Sequence, residues 1–279
     1  MKLLLSWLLV SAVLSAAHPI LVHGHRGARA VRPENTIPAF EYAISIGVDV
    51  LELDLSVTKD DVLVVSHDPV LNPAICSGPD SKPHPIRSLT LKELRRWDCG
   101  AKKNPDFPKQ QPVPGTPIPT FDEVLALAPL GTFDFNVETK ISPDRPGLAP
   151  IPERFVELVL AAIRKHHLEP RVILQSFDFR TLHAMKQLAP EIRLSALDAN
   201  GQGDFVTVAN KAGAGIISPR YPLVKPDKVA AAHEAGIQVI PWTANTPKDW
   251  DRLIEARVDA IITDDPVALI EHLKSRGLR

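Results

Sequence analysis

Aromatic side chains make up only 5% of this 279-residue chain, cysteine occurs twice, and the charges nearly cancel at a formal net charge of −1. Without an excess of one sign, no global field draws the chain to nucleic acid or to an acidic membrane surface, so any recognition of an anion must be local. The apolar run from Leu3 to Leu14 is shorter than the roughly 20 residues a membrane-spanning helix needs, and no later segment reaches that length. Stable membrane insertion of the mature chain is therefore not expected. The sequence has no Gly-x-Ser-x-Gly elbow, which argues against a serine hydrolase. It also lacks a Gly-rich phosphate loop after its first strand pattern, which argues against a doubly wound nucleotide-binding sheet. No repeat at solenoid spacing is present.

The N-terminus carries Lys2, then the apolar run, then Ser15, Ala16 and Ala17, the pattern of an export signal. Residues 1–17 are read as a signal peptide whose removal leaves His18 first, and 18–279 as one domain, periplasmic or secreted. In an oxidising compartment, an even cysteine count favours a disulfide between Cys76 and Cys99. With 44% hydrophobic side chains the chain can bury one large core.

Short β-rich runs alternate with helical patterns nearly to the C-terminus, the signature of βαβ units and a parallel sheet. Strands are predicted at Ile20–Arg26, Val50–Ser56, Thr132–Glu138, Arg171–Ser176, Ile192–Leu197, Gly215–Ser218, Gln238–Thr243 and Ala260–Thr263. Helices are predicted at Thr36–Ile46, Pro152–His166, Arg180–Leu188, Pro226–Ala235 and Lys248–Ala256, among others. Eight strands suit an α/β fold of the (β/α)8 TIM-barrel type. A further run, Val62–Ser66, follows the turn Lys59-Asp60-Asp61 and reads as a hairpin returning from the second strand. Proline-rich sequence from about 69 to 120 then breaks the rhythm and reads as an insertion, with one helical piece near Thr90–Trp97 opened by a Thr90/Glu93 capping box. Because it leaves the barrel directly after His67 and Asp68, it is expected to form a lid or substrate wall.

Between Leu21 and Asp68 the chain packs HGHRG, PENT, LELDL and SHD. Residues i and i+2 of a strand share a face, so Glu52 projects with Asp54, His23 with His25, and Glu138 with Lys140. At the C-terminal mouth of a barrel, Glu52, Asp54 and Glu138 would form an all-oxygen set suited to one divalent metal, Ca2+ or Mg2+. Leu51, Leu53 and Leu55 alternate with the first two, which separates an apolar face from the carboxylate face. His25 and His67 can serve as acid and base near neutral pH. Arg26 and Lys140 offer forked donors and a point charge to an anion such as phosphate. His23-Gly24-His25 with Asp264 also resembles the metal pair and final acid of amidohydrolase barrels. The middle strands, however, end in Gln175-Ser176, Leu197-Asp198 and Ser218-Pro219, without the further histidines such a site needs.

Taken in order, His25-Arg26-Gly27-Ala28, Pro33-Glu34-Asn35-Thr36, Glu52-Leu53-Asp54, His67-Asp68, Ile118-Pro119-Thr120, Asn136-Val137-Glu138-Thr139-Lys140, Gln175-Ser176-Phe177, Trp242-Thr243-Ala244-Asn245 and Thr263-Asp264 resemble the glycerophosphodiester phosphodiesterase family, within the phosphatidylinositol-phospholipase-C-like barrels. The resemblance runs from about residue 20 to 270. It implies metal-dependent hydrolysis of a small glycerophosphodiester to sn-glycerol 3-phosphate and an alcohol. The metal would sit on Glu52, Asp54 and Glu138, with His25 and His67 as the acid/base pair and Arg26 and Lys140 on the phosphate. Gln175 and Trp242 would line the substrate site, Trp242 as a wall for glycerol, and Glu34, Asn35, Asn245 and Asp264 would support it from behind. Two positions depart from the family pattern: His23 replaces a small or apolar residue, and Asp61 a turn glycine. A lysophospholipase D or sphingomyelinase D-like activity uses the same barrel but needs an apolar groove for an acyl chain. A non-catalytic phosphodiester-binding protein would be marked by a lost ligand or histidine, and none is lost.

Overall fold

The computed structural model describes residues 19–201 and 203–279; the signal-peptide reading of 1–17 lies outside the described residues. Among these, nine strands run β1 (Leu21–Gly24), β2 (Val50–Val57), β3 (Leu63–Val65), β4 (Asp134–Thr139), β5 (Val172–Ser176), β6 (Arg193–Asp198), β7 (Ile216–Pro219), β8 (Gln238–Val239) and β9 (Ala260–Thr263). The helices are α1 (Ile37–Ser45), α2 (Leu91–Leu94), α3 (Phe121–Leu125), α4 (Pro152–Lys165), α5 (Phe179–Leu188), α6 (Phe205–Ala212), α7 (Pro226–Glu234), α8 (Pro247–Glu255) and α9 (Pro266–Ser275). Eight parallel strands pair in the order β8-β7-β6-β5-β4-β2-β1-β9, and β3 adds to β2 antiparallel as the expected hairpin. Patterning alone does not single out α6 and α9, which complete the helical layer.

The seam between β8 and β9 differs from the expected strand Gln238–Thr243, because regular pairing of β8 stops at Val239. Pro241 has no N–H to give a ladder. Single bonds still cross the seam, from Asp259 N to Val239 O (3.0 Å), Ile262 N to Pro241 O (3.0 Å) and Ala244 N to Ile262 O (3.1 Å). The sheet is thus a nearly closed barrel, consistent with the (β/α)8 architecture.

Proline does structural work outside the barrel: α4, α7, α8 and α9 each begin on one, where the missing N–H has no intrahelical partner to lose. Thr246 and Asp265 cap α8 and α9 by accepting from Asp249 N (3.2 Å) and Ala268 N (3.1 Å). Leu51, Leu53 and Leu55 of β2 point outward into the layer shared with Phe40, Phe121 and Phe155, all at 0% exposure. Burying each leucine fully contributes about 1.5–3 kcal/mol. The alternate residues of the same strand are therefore committed to the barrel interior, which fixes the aim of Glu52 and Asp54.

The insertion builds a small core of its own, Leu71, Cys76, Ile86, Leu94, Trp97, Cys99 and Ile118, packed on Val64 of β3. Cys76 and Cys99 are joined in a disulfide within it. The expected capping box at Thr90 and Glu93 opens α2. Asp98 gathers four backbone N–H groups, those of Gly100, Ala101, Gly115 and Thr116, at 2.6–3.2 Å. Its far end reaches back to the chain after β1, where Gln110 donates to Arg29 O (2.7 Å) and Arg32 O (3.1 Å) and Phe107 lies under the Arg29 guanidinium.

Candidate active site

Polar side chains converge at the C-terminal mouth of β1, β2 and β4. After β1 the chain folds back on itself, with Gly27 N–H donating to Gly24 O (3.1 Å). A Cβ on Gly24 would stand 2.2 Å from Gly27 O, so the HGHRG turn closes only with glycine there. Within this turn Arg26 is held at φ 51, and Asn35 further on at φ 56. Asparagine tolerates this region, so the cost falls on Arg26. That conformation aims the Arg26 N–H at Glu52 Oε2 (3.0 Å), while the Asn35 amide donates to Asp54 Oδ2 (2.8 Å).

Carboxylate oxygens of Glu52, Asp54 and Glu138 come within 4.8 Å of one another. All three residues are buried, at 2%, 1% and 7% exposure. Burial, reinforced by the Asp54 charge, pushes Glu52 well up; burial also raises Glu138, against the pull of Lys140. Asp54 moves the other way: burial opposes its charge, but Arg26 and Lys140 outweigh it and hold the carboxyl below the usual range. Arg26 contacts Asp54 (3.3 Å) and Glu34 (2.6 Å), and Lys140 contacts Glu138 (2.8 Å) and Asp54 (3.6 Å). With Glu52, Asp54 and Glu138 ionised, their three negative charges exceed the two positive charges of Arg26 and Lys140, and Arg26 is shared with Glu34, which Arg29 also approaches (3.8 Å). Asp54 Oδ1 is buried and, among the described residues, has no hydrogen-bond partner. Hard, anionic, incompletely paired oxygen donors at this spacing fit a divalent cation.

Both candidate histidines lean on an aspartate. His25 Nδ1 meets Asp264 Oδ1 at 2.5 Å, and His67 Nδ1 meets Asp68 Oδ1 at 2.8 Å. In each ring the ionised carboxylate accepts a hydrogen bond from Nδ1–H, which keeps that proton on Nδ1 and leaves Nε2 as the free end. His25 Nε2 lies 3.9 Å from Glu52 Oε2. Burial lowers the His25 pKa, although Asp264 works against it. Asp264 is in turn held by Asn245 Nδ2 (2.6 Å) and Arg29 Nε (3.2 Å). Its carboxyl is depressed to about 2, since His25 and Arg29 outweigh the burial that opposes its charge. Arg29 was not among the sequence-derived candidates; nothing in its local pattern separates it from a surface arginine.

From Glu138, Lys140 and His67 opens a cavity of about 1030 Å³, walled by Ile141, Leu148, Phe177, Phe179 and Leu197. Only Pro69 of the insertion reaches this wall beyond His67 and Asp68. The insertion therefore does not cover this cavity as a lid: it docks its own core on β3 and walls a small cleft against Glu34, Asn35 and His67 with Leu71, Asn72 and Ile75, while the loops after β4, β5 and β6 shape the cavity. Gln175 is likewise placed differently from the expected lining position. It is 1% exposed and its amide is spent on Glu52 Oε1 (2.8 Å) and on Asn136 (3.0 Å), behind the carboxylates. Trp242 packs edge-on against Phe177 at 5.5 Å and donates from its indole N–H to Ser218 O (2.8 Å).

Comparison with known proteins adds a whole-chain likeness. Residues 25–268 match the glycerophosphoryl diester phosphodiesterase family. The chain belongs to this family. A glycerophosphodiester phosphodiesterase from Caldanaerobacter subterraneus subsp. tengcongensis is 34% identical over 257 residues, covering 92% of this chain and 99% of its own. A structure from Silicibacter pomeroyi DSS-3 assigned to the glycerophosphoryl diester phosphodiesterases superposes with a TM-score of 0.88 at 30% identity, covering 94% and 95% of the two chains. An Oleispira antarctica phosphodiesterase in complex with the product sn-glycerol-3-phosphate shares the fold, with a TM-score of 0.78 at 20% identity over 92% of this chain and 97% of that one. For this family member, the carboxylate triad and the two aspartate-backed histidines all stand at the barrel mouth that opens on the cavity.

Proposed function

We propose that the protein is a divalent-metal-dependent hydrolase that splits small glycerophosphodiesters into sn-glycerol 3-phosphate and an alcohol. The observation that carries this reading is the buried, incompletely neutralised trio Glu52, Asp54 and Glu138 set between two aspartate-backed histidines. Those three carboxylates would hold the cation, which when bound supplies positive charge against the phosphoryl oxygens. Arg26 and Lys140 add fixed positive groups beside it, already oriented by their carboxylate partners and so needing no reorganisation as charge grows on the phosphate.

His25 is assigned as the base. Burial favours its neutral form, Asp264 fixes the proton on Nδ1, and the Nε2 lone pair is left to take a proton from the attacking oxygen, either water directly or the glycerol hydroxyl, whose cyclic phosphate product water then opens to sn-glycerol 3-phosphate. His67, half-buried on the cavity wall and oriented by Asp68, is assigned as the acid that protonates the departing alkoxide. Phe177 and Trp242 offer an apolar wall for the carbon skeleton. Product-bound sn-glycerol-3-phosphate in the Oleispira antarctica structure supports the substrate class. The export pattern of residues 1–17 and the Cys76–Cys99 disulfide support a place outside the cytoplasm.

The test is hydrolysis of glycerophosphocholine and glycerophosphoethanolamine by the mature protein, before and after EDTA, with Ca2+ or Mg2+ restored. Turnover that disappears with EDTA and returns with the ion is expected. Turnover that survives full metal removal would overturn the metal assignment, and binding of either diester without product release would overturn the enzymatic one.

A further inference from the structure

Beneath the carboxylates the barrel interior changes character. Its floor is apolar, built from Ile173, Ile216, Ile240, Ala260 and Ile262. Beside it lie His23, Asn136 and Gln175, at 1%, 0% and 1% exposure. Polar side chains at such depth are costly, and aliphatic ones would fill the same space without that cost. They are joined in a line that ends on Glu52. Gln175 Nε2 donates to Glu52 Oε1 (2.8 Å), Asn136 Nδ2 donates to Gln175 Oε1 (3.0 Å), and the same nitrogen lies 3.5 Å from His23 Nδ1.

Each member fixes the orientation of the next. Turning over the Gln175 amide would set its carbonyl against the Glu52 carboxylate and its NH2 against that of Asn136. Asn136 is held by having its two N–H bonds face two acceptors, Gln175 Oε1 and His23 Nδ1. The second acceptor exists only if the imidazole carries its proton on Nε2. That Nε2 is buried and, among the described residues, has no hydrogen-bond partner, and neither has Asn136 Oδ1. In that tautomer the fold leaves an N–H unpaired while presenting a lone pair to Asn136, a cost that space-filling does not explain.

We propose that His23 is a positioning residue: acting through Asn136 and Gln175, it locks the Glu52 carboxylate and so strengthens the hold of the triad on its divalent cation. Glu52 is then clamped at both oxygens, by Gln175 at Oε1 and by the Arg26 N–H at Oε2 (3.0 Å). Loss of outer hydrogen-bond partners of metal ligands costs about 10–100-fold in affinity, and the effect of His23, two amides removed, falls at the lower end. The inference rests on the reading of Glu52 as a metal ligand.

The experiment is calorimetric titration of CaCl2 and MgCl2 into metal-stripped wild type, His23→Leu and His23→Gln, with thermal unfolding of each in EDTA and kcat and KM on glycerophosphocholine. His23→Leu is expected to unfold within a few degrees of the wild type yet bind the metal about tenfold more weakly, with kcat at limiting metal reduced and KM for the diester unchanged. His23→Gln, whose carbonyl can accept from Asn136, is expected to recover most of the affinity. Equal affinity of wild type and His23→Leu overturns the proposal, as does a His23→Gln that binds no better than His23→Leu. A His23→Leu chain that fails to fold assigns the residue a structural part and overturns it too. If the wild type itself binds neither ion, the fault lies with the metal reading of Glu52, and the proposal falls with it.

Discussion

His23→Gln should remove a defined part of the protein's sensitivity to acid. Burial, aided by the charge of Arg193, lowers the pKa of His23 from 6.5 to about 3 in the folded chain. In the unfolded chain the ring returns to its ordinary value, so between these limits the unfolded state takes up a proton that the folded state refuses. The contribution is therefore absent above about pH 6.5 and becomes a growing penalty as the pH falls toward 3. At about 1.4 kcal/mol per pKa unit, acidification from pH 7 to pH 5 removes about 2 kcal/mol of stability through this one residue. That is a large share of the 5–15 kcal/mol, or about that, by which domains are stable. The assay is urea unfolding followed by far-UV circular dichroism at the two pH values, in EDTA, for wild type and His23→Gln. The neighbouring carboxylates titrate in both proteins and cancel in the comparison. The wild type should lose about 2 kcal/mol more than the variant; an equal loss would mean that the ring is protonated or solvated in the fold, and would refute the reasoning.

Replacing Cys76 and Cys99 by serine releases a loop with a sequence separation of 23, and should cost about 3 kcal/mol in thermal or urea unfolding; an unchanged midpoint would show that the insertion's core holds without it. His25→Ala and His67→Ala should each lower kcat by about 10²–10⁴-fold with unfolding unchanged, and Asp264→Asn, which keeps the volume but gives up the charge behind His25, should lower kcat by roughly tenfold or more. Near-normal turnover in any of the three would remove that residue from the chemistry.

Much of the barrel is legible in the sequence because period-two alternation in β2 sorts Leu51, Leu53 and Leu55 from Glu52 and Asp54, and that sorting is the fold's own. Where the reading slipped, the cause is three-dimensional. Pro241 cuts β8 short because a strand pattern does not register a missing N–H. Proline density marks residues 69–120 as a departure from the barrel rhythm but not the direction in which they dock; Ile86, Leu94 and Ile118 form a core on Val64, away from the cavity. Gln175 sits at a strand end, as a substrate-binding side chain would, yet its amide is consumed by Glu52 and Asn136, a fact carried by neighbours far away in sequence. Arg29 supports Asp264 across the mouth at 3.2 Å, and no local signal announces a partner that distant along the chain. Conversely, Glu52 with Asp54 and Glu138 with Lys140 stand together because i, i+2 geometry already places each pair on one face, and His25 and His67 join them from the chain just beyond β1 and β3.

The central claim is that Glu52, Asp54 and Glu138 hold one divalent cation beside the phosphate of the substrate. Crystals grown with MnCl2 and sn-glycerol 3-phosphate, measured for anomalous scattering, test it most directly. A single manganese peak ligated by those three carboxylates is expected, with the phosphate of the product between it and Arg26 and Lys140. Manganese bound elsewhere, or a phosphate seated in the site with no metal beside it, would show that these carboxylates do not hold the cation.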